Sequence, residues 1–287
     1  MRQIAHIINP VKVNKSSDLF NAQPITFETM KIAKMAAKNK VDVELFTAQY
    51  KEDRDVIPEG FTVTPDLSCS ILDYGSFQEK RKLPLIRDIL DQLYKSSNAE
   101  YFIFTNVDIS LMPYFYLAID DIIAKGFDSF VINRRTLPMD ILSSDQLPFL
   151  FTQIGEKHRG YDCFIFKRDN YPKFRLGTSC IGIKGVGALL LLNLICYSTK
   201  FNLFKDLHLT FHLGNDKQWK NPQFIDYTEY NAKELKQVLF YFQMEGMLKN
   251  QPLANRYLKQ FEMQPTYKTI LKKVIQKLKM ICDFDQV

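Results

Sequence analysis

Tyr101-Phe-Ile-Phe-Thr-Asn-Val-Asp-Ile109 is the stretch that decides the fold. Four bulky apolar residues in a row predict a strand buried on both faces, the kind a parallel sheet contains. The run gives way to Thr105, Asn106, Val107 and Asp108, so polar groups stand where a carboxyl-end loop begins. In open α/β sheets that edge is where ligands bind. A carboxylate there can hold a divalent cation, and the cation can hold phosphates. The same carboxylate can equally serve as a helix cap.

The flanking sequence repeats a strand-and-helix alternation. Gln3 to Asn9 reads as a first strand closed by Pro10, followed by a polar loop from Val11 to Pro24 and a helix capped by Thr26. Val41-Asp-Val-Glu-Leu-Phe-Thr47 predicts a second strand and Ser68 to Leu72 a third. Leu83, Ile86, Leu90 and Leu93 have helical spacing, with Lys80, Arg81 and Lys82 in the first turn expected there. Cations at that end oppose the helix dipole, a cost that a nearby anion or solvent would offset. A helix from Pro113 to Lys125 then leads to a strand ending at Ile132, which delivers Asn133, Arg134 and Arg135 to the edge that carries Asp108. This alternation predicts an α/β fold with a mostly parallel, doubly wound sheet.

Composition narrows the function. The 287 residues are 46% hydrophobic and 24% charged, enough for a sizeable core. A net charge of +6 fits an anionic ligand, and with no RNP-like strand or paired zinc-finger spacing no nucleic-acid partner is expected. Five scattered cysteines, none in a C-x-x-C pair, argue against a disulfide framework and for a reducing compartment. The chain opens directly into a strand-like segment, and its longest apolar run, Val186 to Cys196, is a buried helix too short to span a bilayer. A cytoplasmic location is expected.

Two further strand ends carry ionisable groups. Asp162 precedes the apolar run Cys163 to Phe166, with His158 four residues earlier. In Leu207-His-Leu-Thr-Phe-His-Leu213 the alternation sets His208 and His212 on one face, with His212 beside the terminating Gly214. His208, read as deeper in that strand, suits a core histidine, and His212 suits a ligand. One carboxylate, one imidazole, phosphate oxygens and water together suit Mn²⁺ or Mg²⁺ better than structural zinc. Asp162 is then a general base toward an acceptor hydroxyl, or a group that only orients it, and His158 is a weaker base candidate. Walker, G-x-S-x-G and H-E-x-x-H signatures are absent from the sequence.

The ordered set Phe104-Thr-Asn-Val-Asp-Ile109, Gly160-Tyr-Asp-Cys-Phe-Ile-Phe166 and Phe211-His-Leu-Gly-Asn-Asp216 with Trp219 resembles the GT-A type nucleotide-sugar glycosyltransferases. The first stretch looks like a variant of their D-x-D motif, with Asn106 in place of the first acid. The resemblance spans roughly residues 3 to 220 and implies a Rossmann-like GT-A sheet. It also implies transfer of a sugar from a nucleotide diphosphate donor to a hydroxyl acceptor, a glycan or glycolipid. Asp108 and His212 would hold Mn²⁺ or Mg²⁺, and Asp162, with His158 behind it, would act on the acceptor. Asn9, Pro10 and Thr47 would lie nearest the base and ribose, and Asn106 is left to contact ribose or metal-bound water. Lys82, Arg87 or Arg134 would meet the diphosphate. The rival readings are a metal-dependent hydrolase using His208 and His212, and a non-catalytic sugar- or nucleotide-binding module of the same fold.

The expected organisation is a catalytic domain over residues 1–225 and a helical C-terminal extension over 226–287. The last predicted helix, Thr266 to Cys282, has an apolar face and a lysine face. It either packs on the domain with its lysines in water or lies on an anionic membrane surface, as a lipid-linked acceptor would require.

Overall fold

The computed structural model describes residues 1–138, 144–214, 221–249 and 251–261. In chain order the main elements are β1 (Arg2–Ile8), α1 (Leu19–Ala37), β2 (Val41–Thr47), β3 (Thr62–Val63), α2 (Ile86–Ser96), β4 (Tyr101–Thr105), β5 (Ser110–Leu111) and α3 (Phe115–Ala124). They continue with β6 (Ser129–Ile132), β7 (Arg135–Leu137), α4 (Leu147–Leu150), β8 (Glu156–Lys157) and β9 (Cys163–Lys167). The last are α5 (Val186–Tyr197), β10 (Phe201–Phe204), β11 (Thr210–Leu213), α6 (Ile225–Met244) and α7 (Pro252–Gln260). The predicted helix at 266–282 lies outside the described residues, as do Asn215, Asp216 and Trp219.

The main sheet runs β10-β6-β9-β4-β1-β2-β3. Its pairings are parallel except the two made by β9, which runs against both β4 and β6. β4 is buried along its whole length, and its side chains alternate between two cores. Tyr101 and Ile103 pack with α1 and α3, while Phe102 and Phe104 pack with α2, α5, α6 and α7. That two-residue alternation between helix-covered faces is what a doubly wound sheet requires. The α/β Rossmann-like class expected from the sequence is the one the chain adopts. The apolar faces of α6 and α7 belong to the same core as β1 and β4.

Several local expectations are corrected. The third strand is Thr62–Val63, and Ile71–Asp73 is instead a short 3₁₀ turn closed by a Ser70–Asp73 capping box. α1 starts at Leu19, with Pro24 inside it, so Thr26 is a buried helical residue bonded to the Ser110 hydroxyl at 3.1 Å rather than a cap. α2 starts at Ile86, which leaves Lys80, Arg81 and Lys82 in an irregular segment before the helix, and the acid Asp88 in its first turn. β4 and β6 are parallel, as a crossover demands, but β9 is inserted between them.

His6 is fully buried in β1, its Nδ1 2.9 Å from the Tyr116 hydroxyl and its Nε2 2.9 Å from Thr105 Oγ1. Burial pushes it down from 6.5 to about 3. The unfolded chain therefore takes up a proton near pH 6.5 that the folded chain refuses. Stability from the neutral imidazole is complete above that pH and is lost progressively as pH falls toward 3. Between pH 7.5 and pH 4 the wild type should lose on the order of 3 kcal/mol more than His6→Gln. Urea unfolding of both proteins at the two pH values measures this, and equal acid losses would remove His6 as the cause.

Candidate active site

The carboxyl edge of β1 and β2 is held by side chains reaching back to main chain. The Asn9 amide donates to the Ala48 carbonyl at 2.6 Å, and Pro10 beside it is buried. The Gln23 amide clamps Val11 on both sides, accepting from its N–H at 2.9 Å and donating to its carbonyl at 3.2 Å. Lys12 N–H donates to the buried Asp53 carboxylate at 2.8 Å; burial raises that carboxyl, and the Lys12 bond offsets part of the rise. Thr47 is fully buried and its hydroxyl donates to Gln49 at 2.8 Å, so this side chain supports the edge from within.

A second sheet, ordered β5-β11-β7-β8, crosses the end of β4 and β6. Asn106 and Asp108 occupy the turn between β4 and β5, closed by the Ile109 N–H to the Asn106 carbonyl at 3.1 Å. β11 pairs antiparallel with β5 and parallel with β7, which brings His212 to Asp108. His212 Nε2 lies 3.2 Å from Asp108 Oδ2, and its Nδ1 lies 2.9 Å from the Gly214 carbonyl. A carbonyl only accepts, so Nδ1 carries a hydrogen. Nε2 and the carboxylate then share a single requirement for positive charge between them, met by a proton or by a cation. Asp108 Oδ1 is buried and has no partner. Burial works to raise the Asp108 carboxyl, but the His212 bond and the charges of His212 and Arg134 outweigh it and hold the group below the usual carboxylate range.

These donors suit a hard divalent cation: an orphaned carboxylate oxygen, an imidazole nitrogen oriented through its other ring atom, and a neighbouring turn that carries Asn106. Among the described residues no group of three or more His, Cys, Asp or Glu side chains is placed to hold a metal ion. Most of the coordination shell would therefore come from a ligand and water.

Asp162 stands immediately before β9, where Cys163 pairs with Thr105 on one side and Ile132 on the other. Its Oδ1 accepts from Arg134 Nη1 at 3.3 Å, with the Arg134 and Asp162 side chains only 11% and 9% exposed. Its Oδ2 lies 3.3 Å from His158 Nδ1. That nitrogen also receives the Gly160 N–H at 3.0 Å. An amide N–H always carries its hydrogen, so Nδ1 accepts, and the proton of the neutral ring sits on Nε2. In this geometry the Nδ1 lone pair of His158 is engaged by the Gly160 N–H. Asn133, at the end of β6, was placed at this edge from the sequence but given no role there: it is buried, its Nδ2 donates to the His158 carbonyl at 3.1 Å, and its Oδ1 has no partner. Its one legible signal was its place directly after an apolar strand.

The remaining candidates lie apart from this cluster. Lys82 reaches Glu52 at 2.5 Å and caps the Tyr50 ring at 3.9 Å. Arg87 contacts Asp88 at 3.3 Å and the Tyr74 hydroxyl at 3.5 Å. His208 falls in the turn before β11, not four residues back on one strand face, so the expected histidine pair of a hydrolase is not formed. Burial and the Arg135 charge both hold its imidazole below the ordinary range. A cavity of about 610 Å³ opens beside α1, lined by Val11, Phe20, Pro24, Phe27, Val56 and Pro58 among others; Asp108, Asp162 and His212 do not line it.

Strand order, the inverted β9 and the second sheet together define a Rossmann-like α/β protein with its ionisable cluster at the carboxyl edge. Solved structures similar to it include residues 1–349 of S. aureus TarS, at 9% identity and a TM-score of 0.46. That match covers 82% of this chain, which spans 65% of the TarS fragment. The same fragment in complex with UDP-GlcNAc matches at 9% identity and TM-score 0.47, over 91% of this chain and 80% of the other. The 4-diphosphocytidyl-2C-methyl-D-erythritol synthase of Anaerococcus prevotii matches at 11% identity and TM-score 0.40, over 80% and 96%. No protein-family model matches the chain. No curated protein matches it either.

Arg134 supplies the counter-charge for a buried carboxylate. Arg134→Met should lower unfolding stability by about 3 kcal/mol, because breaking a buried pair strands its partner. Adding Asp162→Asn should restore part of that loss, and a double-mutant cycle in urea reads the coupling. Strictly additive losses would show that the two groups do not depend on each other.

Proposed function

We propose that the chain is a GT-A type glycosyltransferase that moves a sugar from a nucleotide diphosphate donor to a hydroxyl acceptor. The observation that carries this reading is the meeting of Asp108, His212, Arg134 and Asp162 at one sheet edge, with Asp108 Oδ1 buried and unpartnered. Asp108 and His212 would hold Mn²⁺ or Mg²⁺, which when bound supplies Lewis acidity toward the diphosphate. Arg134 adds fixed positive charge where the leaving group's charge develops. Asn9, Pro10 and Thr47 shape the edge that would receive the base and ribose, and Asn106 faces the donor from the Asp108 turn.

Asp162 serves the acceptor. Arg134 fixes its Oδ1, leaving Oδ2 to take the proton of the acceptor hydroxyl. The acceptor oxygen bonds to the anomeric carbon as the bond from that carbon to the phosphate oxygen breaks. The nucleotide diphosphate leaves, and the proton rests on Asp162.

Thermal unfolding of the full chain with UDP, GDP or CDP, with and without Mn²⁺, tests the donor half. At a ligand concentration near one hundred times Kd the melting temperature should rise by roughly 5 °C with nucleotide and metal together. Asp108→Ala should abolish the part that depends on Mn²⁺. No rise with any nucleoside diphosphate would sink the transferase reading, and an unchanged rise in Asp108→Ala would remove Asp108 from the site.

The acceptor belongs, in this reading, to a glycan or a lipid-linked sugar at the inner face of a membrane. Support comes from the lysines at positions 268, 272, 273, 277 and 279 opposite an apolar face. No helix among the described residues is long and apolar enough to cross a membrane. The full chain should sediment with vesicles containing anionic lipid, and deletion of 265–287 should release it. Equal sedimentation of the two forms, or none of either, counts against a membrane-bound acceptor.

A further inference from the structure

Asn133 holds a buried acceptor atom that nothing in the fold uses. Its side chain is 4% exposed, and its amide is oriented by chemistry: the His158 carbonyl can only accept, so Nδ2 faces it and Oδ1 faces away. Oδ1 is buried and lacks a hydrogen-bond partner. Native folds rarely leave such an atom unmet, and strain, a catalytic role or a bound water or ion accounts for those that are. The position singles out what kind of ligand. Ile132 pairs with Cys163, so Asn133 directly follows the residue beside β9 and sits next to Asp162 across the strands. Its backbone N–H is already committed to the Phe204 carbonyl at 3.0 Å, and its Nδ2 to the loop that carries His158. Only an acceptor is left over. Asp108 Oδ1, also buried and unpartnered, is another leftover acceptor at this edge, whereas Arg134 offers donors.

We propose that Asn133 Oδ1 accepts a hydrogen bond from a hydroxyl of the acceptor substrate, a pyranose sugar presenting a second hydroxyl beside the one Asp162 deprotonates. This rests on the transferase reading for the identity of the acceptor. Asn133 is thus a substrate-binding residue in its own right, and its amide nitrogen independently fixes the loop that orients Asp162.

Saturation-transfer NMR titration of methyl α- and β-hexopyranosides into the full chain, with UDP and Mn²⁺ present, tests this. At least one methyl glycoside should bind the wild type. Asn133→Leu, close in volume but without polar atoms, should weaken that binding about tenfold, the usual loss when one buried hydrogen-bond partner is removed. Asn133→Asp keeps the oxygen and loses the donor to His158, and should weaken binding less than Asn133→Leu does. Unchanged binding in Asn133→Leu overturns the proposal, and so does failure of every methyl glycoside to bind the wild type. Equal losses in Asn133→Leu and Asn133→Asp also overturn it, because they assign the residue to loop holding alone. The UDP-induced rise in melting temperature, measured on the same samples, reports the donor site separately. If that rise is absent while the glycoside pattern holds, the transferase reading fails and the sugar site stands.

Discussion

Cys163 is paired with Thr105 on one side and Ile132 on the other, and the site depends on that double register. Running against both neighbours, β9 starts where β4 and β6 end. A residue placed just before it must therefore sit at the carboxyl edge between two strand ends. A parallel strand in the same slot would have delivered its first residue to the opposite edge. The inversion is what seats Asp162 beside the residues that follow Thr105 and Ile132. The chain between β6 and β9 contributes β7 and β8 to the second sheet.

The second sheet is built from strands of two to four residues, too short to stand alone. It persists because Phe211, Leu213 and Leu137 bury a small apolar cluster with Ile25, Met112, Leu147 and Leu150. Its upper surface gathers charge. Asp108 and Asp162 bring two carboxylates against the one fixed positive charge of Arg134, which leaves the balance to the His212 ring or a cation. The neighbouring cations Lys157 and Arg135 are both committed to Asp206. Folding thus leaves an electrostatic deficit at the place where strand ends, turns and orphaned oxygens coincide. Buried groups left in such a state each cost about 1–3 kcal/mol, a burden that a cation or polar ligand relieves.

Much of the scaffold was legible because period-2 burial leaves a strong mark. Tyr101 to Thr105 and Val41 to Thr47 read correctly as strands, and Val186 to Cys196 correctly as a buried helix. The direction of β9 was not legible, since an apolar run such as Cys163 to Phe166 looks the same in either sense. The start of α1 was misread because the polar stretch from Val11 to Pro24 looks like a loop, although Leu19 to Pro24 is helical with Pro24 inside the helix. The pairing of Asp108 with His212 was foreshadowed by the order of motifs, but Arg134 as the shared counter-charge depends on β7 lying beside β11, a contact between residues some eighty positions apart. Asn133 gave almost no sign, because a neutral amide after a strand is common and its importance lies in one unmet oxygen. His6 was read only as part of an apolar alternation, and its two hydroxyl partners come from β4 and α3.

The loop leaving β1 is fastened before any ligand arrives. Gln23 grips both polar groups of Val11, and Asp53 grips the N–H of Lys12. Backbone freedom in that loop is surrendered during folding rather than on ligand capture. A molecule landing on this edge meets a wall already in its bound shape, so less of its contact energy is spent on ordering protein. Recognition along β1 is then a matter of fit against a fixed template.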